Sequence, residues 1–253
     1  MSAARTQEVG LPDGIRACLF DLDGVLTKTA KVHAAAWKEM FDTYLLARSK
    51  RTGEAFVPFD SHHDYDRYVD GLPRYDGVRG FLASRDIELP EGDPSDPPGA
   101  ETVCGLGNLK NEVVVKMIRD QGVEAYEGSV EFIHAARDAG LARAVVSSSA
   151  NCKDVLVAAG INDLFDEIVD GIVAGEQNLK GKPAPDTFVY AARAFGLEPA
   201  QAAVFEDALA GVASGRAGDF GFVVGVDRVG QRKELEEHGA DVVVDDLAEL
   251  LRR

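Results

Sequence analysis

Cysteine is scarce: Cys18, Cys104 and Cys152 are the only three in 253 residues. They are odd in number and widely separated, which gives no support to a disulfide framework or a cysteine-ligated zinc site. The expectation is three reduced, mostly buried thiols in a cytoplasmic protein. Long apolar runs are also missing. No stretch is long enough to span a bilayer, and segment 1–14 has no apolar core of the kind a secretory leader requires, so a soluble chain is expected. Positive charge is in deficit, with 27 Lys and Arg against 43 Asp and Glu and a net charge of −16. That field disfavours nucleic acid and anionic membranes as partners. An anionic substrate would need a local cluster of cations, or a metal, working against it.

The length and the 45% hydrophobic content allow a sizeable core, either as one large domain or as a core with a smaller inserted one. Short apolar runs rich in Val, Ala and Phe recur at 15–20, 142–147, 165–169, 202–205, 220–226 and 241–244. They read as buried strands of a parallel sheet. Helical patterns at 130–139, 152–159, 186–195 and 208–217 alternate with them, followed by Gly140, Gly160, Gly196 and Gly218 as stops. The alternation predicts a doubly wound, mainly parallel α/β core. Residues 30–124 break the rhythm and read as helices joined by polar loops, with a first helix beginning near Thr29 and a Pro- and Gly-rich loop at 89–101. We therefore expect a catalytic core of 1–29 and 125–253 with an inserted α-helical cap at 30–124. Such an insertion, placed right after the first strand, is expected to act as a lid over the strands' carboxyl ends.

Four pieces of the core fall at or near the carboxyl ends of predicted strands, where open α/β sheets bind ligands. Asp21-Leu22-Asp23-Gly24 follows the first. Alone it is either a solvated turn or a source of nucleophile, acid/base and metal oxygens. Ser147-Ser148-Ser149 with Asn151 suits either a phosphate or a helix cap. Lys182 stands ahead of Pro183 and Pro185, which restrict where its ammonium points. It is either an ordinary surface lysine or a neutraliser of a phosphoryl group. Glu206-Asp207, with Gly211 on the next helix, reads either as a pair of metal ligands or as a helix N-cap beside a solvated acid. Brought together, Asp21, Asp23, Glu206 and Asp207 would concentrate up to four negative charges, tolerable only if a divalent cation and Lys182 compensate them. The cluster predicts Mg²⁺, and a carboxylate attacking phosphorus implies an aspartyl-phosphate intermediate.

With these four motifs in this order, nearly the whole chain resembles the haloacid dehalogenase superfamily of phosphotransferases with a helical cap, and within it the β-phosphoglucomutase family. The resemblance implies that Asp21 is the nucleophile and Asp23 the general acid/base. Ser147, Ser148 and Asn151 would hold the transferring phosphoryl group with Lys182 beside them. Asp21, the Asp23 backbone carbonyl and Asp207 would bind Mg²⁺, supported by Glu206.

In the cap, the segment Thr29 to Lys38 is similar to the family's first cap helix, in which a histidine, here His33, governs the acid/base and a tryptophan, here Trp37, lines the sugar site. Spaced four apart, His33 and Trp37 are equally consistent with core packing. Gly71-Leu72-Pro73-Arg74 looks like the family's specificity loop, with Arg74 gripping a distal phosphate, and Lys110 also matches. The chain departs from the pattern at Lys28, where an acid is common, and at Ala150, where a lysine often lies. His62-His63-Asp64, Arg48, Lys50 and Arg51 are expected to be solvated. The implied reaction is interconversion of β-glucose 1-phosphate and glucose 6-phosphate, the alternatives being a sugar-phosphate phosphatase or an idle binding module. The expected partner is a small sugar phosphate, and the expected state is a monomer.

Overall fold

A computed structural model describes residues 8–252; residues 1–7, part of the opening segment considered above, lie outside the described residues. Six short strands form one parallel sheet: β1 (Ala17–Phe20), β2 (Ala142–Val146), β3 (Glu167–Val169), β4 (Ala202–Glu206), β5 (Phe222–Val226) and β6 (Val242–Val244). Their order is β3-β2-β1-β4-β5-β6. Winding runs from β1 outward through β2 and β3, then restarts on the other side with β4, so the strand order reverses between β1 and β4. Loops leaving two neighbouring strands at such a point diverge and open a crevice at their carboxyl ends. The register aligns Phe20 with both Val145 and Phe205, so the loops after β1, β2 and β4 emerge at one level.

Both faces of the sheet are covered, which is why the strands are mostly apolar rather than alternating, with Arg143, Glu167 and Glu206 as the charged exceptions. Ala17, Leu19, Val146 and Val204 pack with Phe188 and Ala191 of α8 (Asp186–Ala194) and Val212 of α9 (Leu209–Ala217). On the other face Phe20 stacks on Phe205, 4.6 Å between centroids, and both meet Phe132 of α5 (Glu127–Asp138). The remaining core helices are α6 (Cys152–Ala158), α7 (Gly171–Glu176) and α10 (Arg232–His238). Gly140, Gly160 and Gly196 take positive φ just past α5, α6 and α8 as expected of stops. Gly218 does not. Beyond α9 it is Asp219 that turns left-handed, φ +54, whereas a side chain on Gly218 would strike the Phe220 ring.

The described chain forms two compact units, residues 8–28 with 123–252 and residues 29–122. The second unit is entirely helical among the described residues: α1 (Ala30–Thr52), α2 (His63–Tyr68), α3 (Arg74–Ser84) and α4 (Val103–Gln121). Its own core is aromatic, with Phe41 in ring contact with Trp37, Phe59 and Phe81. Residues 89–101 form turns and irregular chain, as their Pro and Gly content predicts. Thr102 caps α4 by accepting the Gly105 amide at 2.9 Å. No helix among the described residues is long and apolar enough to cross a membrane.

Candidate active site

The chain reverses sharply after β1. The Asp21 amide donates to Phe205 O at 2.9 Å, extending the sheet by one bond. The Leu26 and Thr27 amides then both donate to Leu22 O at 2.9 Å, and the Gly24 amide to Thr27 O at 2.8 Å. From α5, the Ser129 hydroxyl donates to Val25 O at 2.6 Å. The loop's backbone is thus tied at most of its polar groups, leaving the Asp21 and Asp23 carboxylates as its chemistry. The Asp23 amide donates to the Asp21 carboxylate.

Asp21, Glu206 and Asp207 each place a carboxylate oxygen so that all three lie within 4.8 Å of one another, although the residues are only 7%, 0% and 8% exposed. Lys182, 2% exposed, reaches them from the loop ahead of α8. Its ammonium pairs with Asp21, lies 2.5 Å from Glu206 Oε1 and donates to Val146 O at 3.0 Å. Two glycines make the cluster possible. A Cβ on Gly24, whose φ is +90°, would lie 1.7 Å from the Asp207 carboxylate, and one on Gly211 would lie 1.9 Å from that of Glu206. The cap and surface readings of these residues fall away: Glu206 is fully buried, the N-cap of α9 is Ala208 with no side-chain capping bond, and Lys182 is not on the surface.

Burial pushes the Asp21 carboxyl up, the Lys182 charge opposes it and the Asp23 charge adds to it. Burial likewise pushes Glu206 up, to about 8, against the opposing pull of Lys182. For Lys182 burial acts downward, but the charges of Asp21 and Glu206 outweigh it and the ammonium is held more firmly than usual. Three carboxyl groups against one ammonium in a dry place resist ionising together, which is the imbalance a divalent cation corrects. Every donor in the cluster is a hard carboxylate oxygen and the cradle beside Asp207 lacks a Cβ, so these residues fit Mg²⁺.

At the end of β2, the Ser147 hydroxyl accepts the Ser149 amide and the Ser149 hydroxyl accepts the Asn151 amide, both at 3.1 Å. Asn151 occupies the N-cap position of α6 without a side-chain capping bond, so capping does not account for it. Ser147 is buried, with Ser148 and Asn151 partly so. Asp170 buttresses this loop: it caps α7, and the neighbouring Gly171 amide donates to Ser149 O at 3.1 Å.

Within the helical unit, Lys110 Nζ lies 3.0 Å from His33 Nδ1 and 4.8 Å above the Trp37 ring. Burial, then the Lys110 charge, holds the His33 imidazole well below its ordinary range, so it is the neutral acceptor of an ammonium proton. Trp37 is buried on Phe41, which makes it a support for Lys110 as well as a core residue. Arg74 opens α3 with its guanidinium 5.0 Å from the Tyr75 ring centroid, and Gly71 takes φ +69 in the turn before it. Lys28 pairs with Glu124 at 2.8 Å, and Ala150 is exposed.

The expectation for 62–64 needs correcting. His62 and His63 are exposed, but Asp64 is buried in α2 and binds Arg85 at 2.8 Å, because a carboxylate at a helix start can be sequestered when a guanidinium reaches it. Arg48 and Arg51 make surface pairs with Glu54 and Glu101.

Sequence reasoning passed over the loop after β5. There Arg228 Nε donates to Gly24 O at 2.8 Å, and Gln231 Nε2 donates to Asp207 O at 3.0 Å. The available signal was Asp227-Arg228 at the carboxyl end of a strand that had been correctly placed.

Residues 15–219 match the family described as haloacid dehalogenase-like hydrolase. A β-phosphoglucomutase of Mycobacterium tuberculosis is 57% identical over 98% of this chain and 95% of its own length. A fructose-1-phosphate phosphatase, YqaB, of Escherichia coli is 30% identical over 79% of this chain and 90% of its own. Among solved structures, a β-phosphoglucomutase from Clostridium difficile superposes with a TM-score of 0.72 at 25% identity, covering 93% of each chain. On the family match and the relatives' coverage together, the chain belongs to the haloacid dehalogenase-like hydrolases and is closely related to the β-phosphoglucomutases among them.

Proposed function

We propose that the chain is a Mg²⁺-dependent phosphotransferase that interconverts β-glucose 1-phosphate and glucose 6-phosphate through an aspartyl-phosphate on Asp21 and a bisphosphorylated sugar. The observation that carries the reading is the convergence of Asp21, Glu206 and Asp207 on one point with Lys182 against two of them. Asp21, the Asp23 backbone carbonyl and Asp207 are the groups that would hold Mg²⁺, with Glu206 behind them. Bound there, the cation supplies neutralisation of the carboxylates and of the phosphoryl oxygens.

The chain's own residues divide the remaining work. Asp21, kept in place by the Asp23 amide and by Lys182, attacks phosphorus in line, forming the Asp21 Oδ–P bond as the sugar oxygen leaves. Asp23, two residues on and only partly buried, donates a proton to that oxygen and recovers one from the next attacking hydroxyl. Lys182 stabilises the negative charge on the transferring group, and Ser147, Ser148 and Asn151 supply hydroxyl, amide and backbone donors for its other oxygens. In the helical unit Arg74 and Lys110 are the cations for a second phosphate, with His33 and Trp37 fixing Lys110.

Identity to the Mycobacterium mutase over almost the full length favours a sugar hydroxyl as the acceptor. A phosphatase is the second reading, favoured by the likeness to the Escherichia coli enzyme; there water would attack the same aspartyl-phosphate. Incubation with Mg²⁺, β-glucose 1-phosphate and a catalytic amount of glucose 1,6-bisphosphate is expected to yield glucose 6-phosphate. Appearance of glucose and inorganic phosphate alone would refute the mutase. Asp21→Asn is expected to abolish turnover without changing the fold.

A further inference from the structure

We propose that Arg228 and Gln231, on the loop that follows β5, are positioning residues that set the catalytic and metal-binding carboxylates by gripping the backbone carbonyls of Gly24 and Asp207. The inference rests on the preceding reading of Asp21, Asp23 and Asp207 as the Mg²⁺-dependent phosphoryl-transfer site.

The loop is built to hold a position. The Asp227 amide continues the sheet by donating to Val244 O at 2.8 Å. Its carboxylate Oδ1 then accepts the amides of Val229, Gly230 and Gln231 at 3.2, 2.6 and 2.9 Å, folding residues 227–231 around one oxygen. From this base two side chains reach to two other loops. Arg228 gives Nε to Gly24 O at 2.8 Å and Nη1 to Asp245 O at 2.6 Å, lies 3.5 Å from the Asp246 carboxylate, and stacks 3.6 Å from the centroid of the Tyr126 ring. Gln231 gives its amide to Asp207 O. The guanidinium is fixed by three partners besides Gly24, so its grip is preorganised rather than adaptive.

The two carbonyls are the places where a backbone rotation would do most harm. Gly24 follows Asp23 and, with its positive φ, lies so close to Asp207 that a single added carbon would overlap the carboxylate. A change in the Gly24 peptide therefore moves the Asp23 carbonyl and the wall against which the Asp207 carboxylate rests. A glycine left untethered samples such rotations more readily than any other residue. Asp207 follows fully buried Glu206 directly, and its own carbonyl has Gln231 as a side-chain donor. Three loops from β1, β4 and β5 are thus joined at one seam, with Arg228 and Gln231 as its rivets. Groups that orient metal ligands from behind typically change affinity or activity by about 10–100-fold when removed.

The test is calorimetric titration of Mg²⁺ alone into the whole, metal-stripped protein, with melting temperatures in chelator as the control for folding. Gln231→Met keeps length and removes the donor. It is expected to weaken Mg²⁺ about tenfold or more while melting within about 2 °C of wild type. Arg228→Lys keeps the charge but lacks the fork needed to bridge two carbonyls. It is expected to weaken Mg²⁺ by a similar factor and to lower kcat with KM for the sugar phosphate unchanged. Mg²⁺ affinity within twofold of wild type in both variants overturns the inference, as does a loss that simply tracks a fall in melting temperature. Asp207→Asn separates the two levels: abolished binding there leaves the site reading intact whatever Arg228 and Gln231 do, and retained binding removes both readings together.

Discussion

Lys182→Met tests the charge balance of the site directly. The thioether keeps most of the stem volume and the contact with Phe188, whose ring centroid is 5.0 Å from Nζ, so the change is chiefly electrostatic. Removing one partner of a buried ion pair costs about 3–5 kcal/mol, because the other charge stays in a dry site. Here two carboxylates, Asp21 and Glu206, lose the same ammonium at once. Glu206, pushed up to about 8 by burial even with the ammonium in place, carries little charge at neutral pH, so the loss falls chiefly on Asp21, which argues for that range rather than double it. At about 2–4 °C per kcal/mol for a protein of this size, the metal-stripped variant should melt roughly 6–20 °C below wild type. Added Mg²⁺ should narrow the gap, because the variant has lost the ammonium that competes with the cation for Asp21 and Glu206 and so gains more from binding it. Loss of the ammonium beside the transferring phosphoryl group should lower kcat by about 10²–10³. Differential scanning calorimetry in chelator and in Mg²⁺, with exposed Lys180→Met as the control, reads both effects. A melt within about 2 °C of wild type in chelator, together with kcat within about tenfold, would refute the account of Lys182 as the cluster's counter-charge.

Gly211→Ala should lower stability by about 1–3 kcal/mol and reduce turnover, since the new methyl overlaps a Glu206 carboxylate that has nowhere to go; unchanged urea midpoint and unchanged kcat would contradict this. His33 gives a pH signature. Burial and then Lys110 hold its folded pKa well below 6.5, so on acidification the unfolded chain takes up the proton first and stability falls as pH drops below that value. Urea unfolding between about pH 5 and 7 should show this slope in wild type and a flatter one in His33→Gln. An identical slope in the two proteins would mean that His33 is not the group responsible.

All six strands were legible because a sheet covered on both faces needs short, mostly apolar runs, and Ala17 to Phe20 and Ala202 to Phe205 are such runs bounded by helical patterns. Asp21, Lys182, Glu206 and Asp207 were legible as candidates because strand ends are where ligands bind. Their common place at the carboxyl ends of strands pointed to a cluster as well, although each residue alone had a bland alternative that burial and distance remove. Short α7 and α10 escaped notice because α7 buries no residue and α10 only Leu235, so neither carries an apolar face to establish a period. Asp64 was misread because its partner Arg85 is far off in sequence. Arg228 and Gln231 act on backbone carbonyls, which exist at every residue, so no side-chain pattern in the sequence marks their targets.

The chain segments that leave and re-enter the α/β unit are bonded to each other: the Lys28 amide donates to Glu124 O at 2.9 Å, and Thr27 pairs with Ala125. Between the end of β1 and the start of β2 therefore lies a loop on the order of 120 residues, whose closure entropy grows only as the logarithm of its length. Compared with a crossover of about 15 residues that is three doublings, or about 2 kcal/mol. The helical unit hangs from a base that the core itself has tied shut, so to the sheet's folding thermodynamics it is an inexpensive excursion. Its kinetic burden falls on β1, the central strand of four residues, which must wait for partners more than a hundred residues away before it can pair at all.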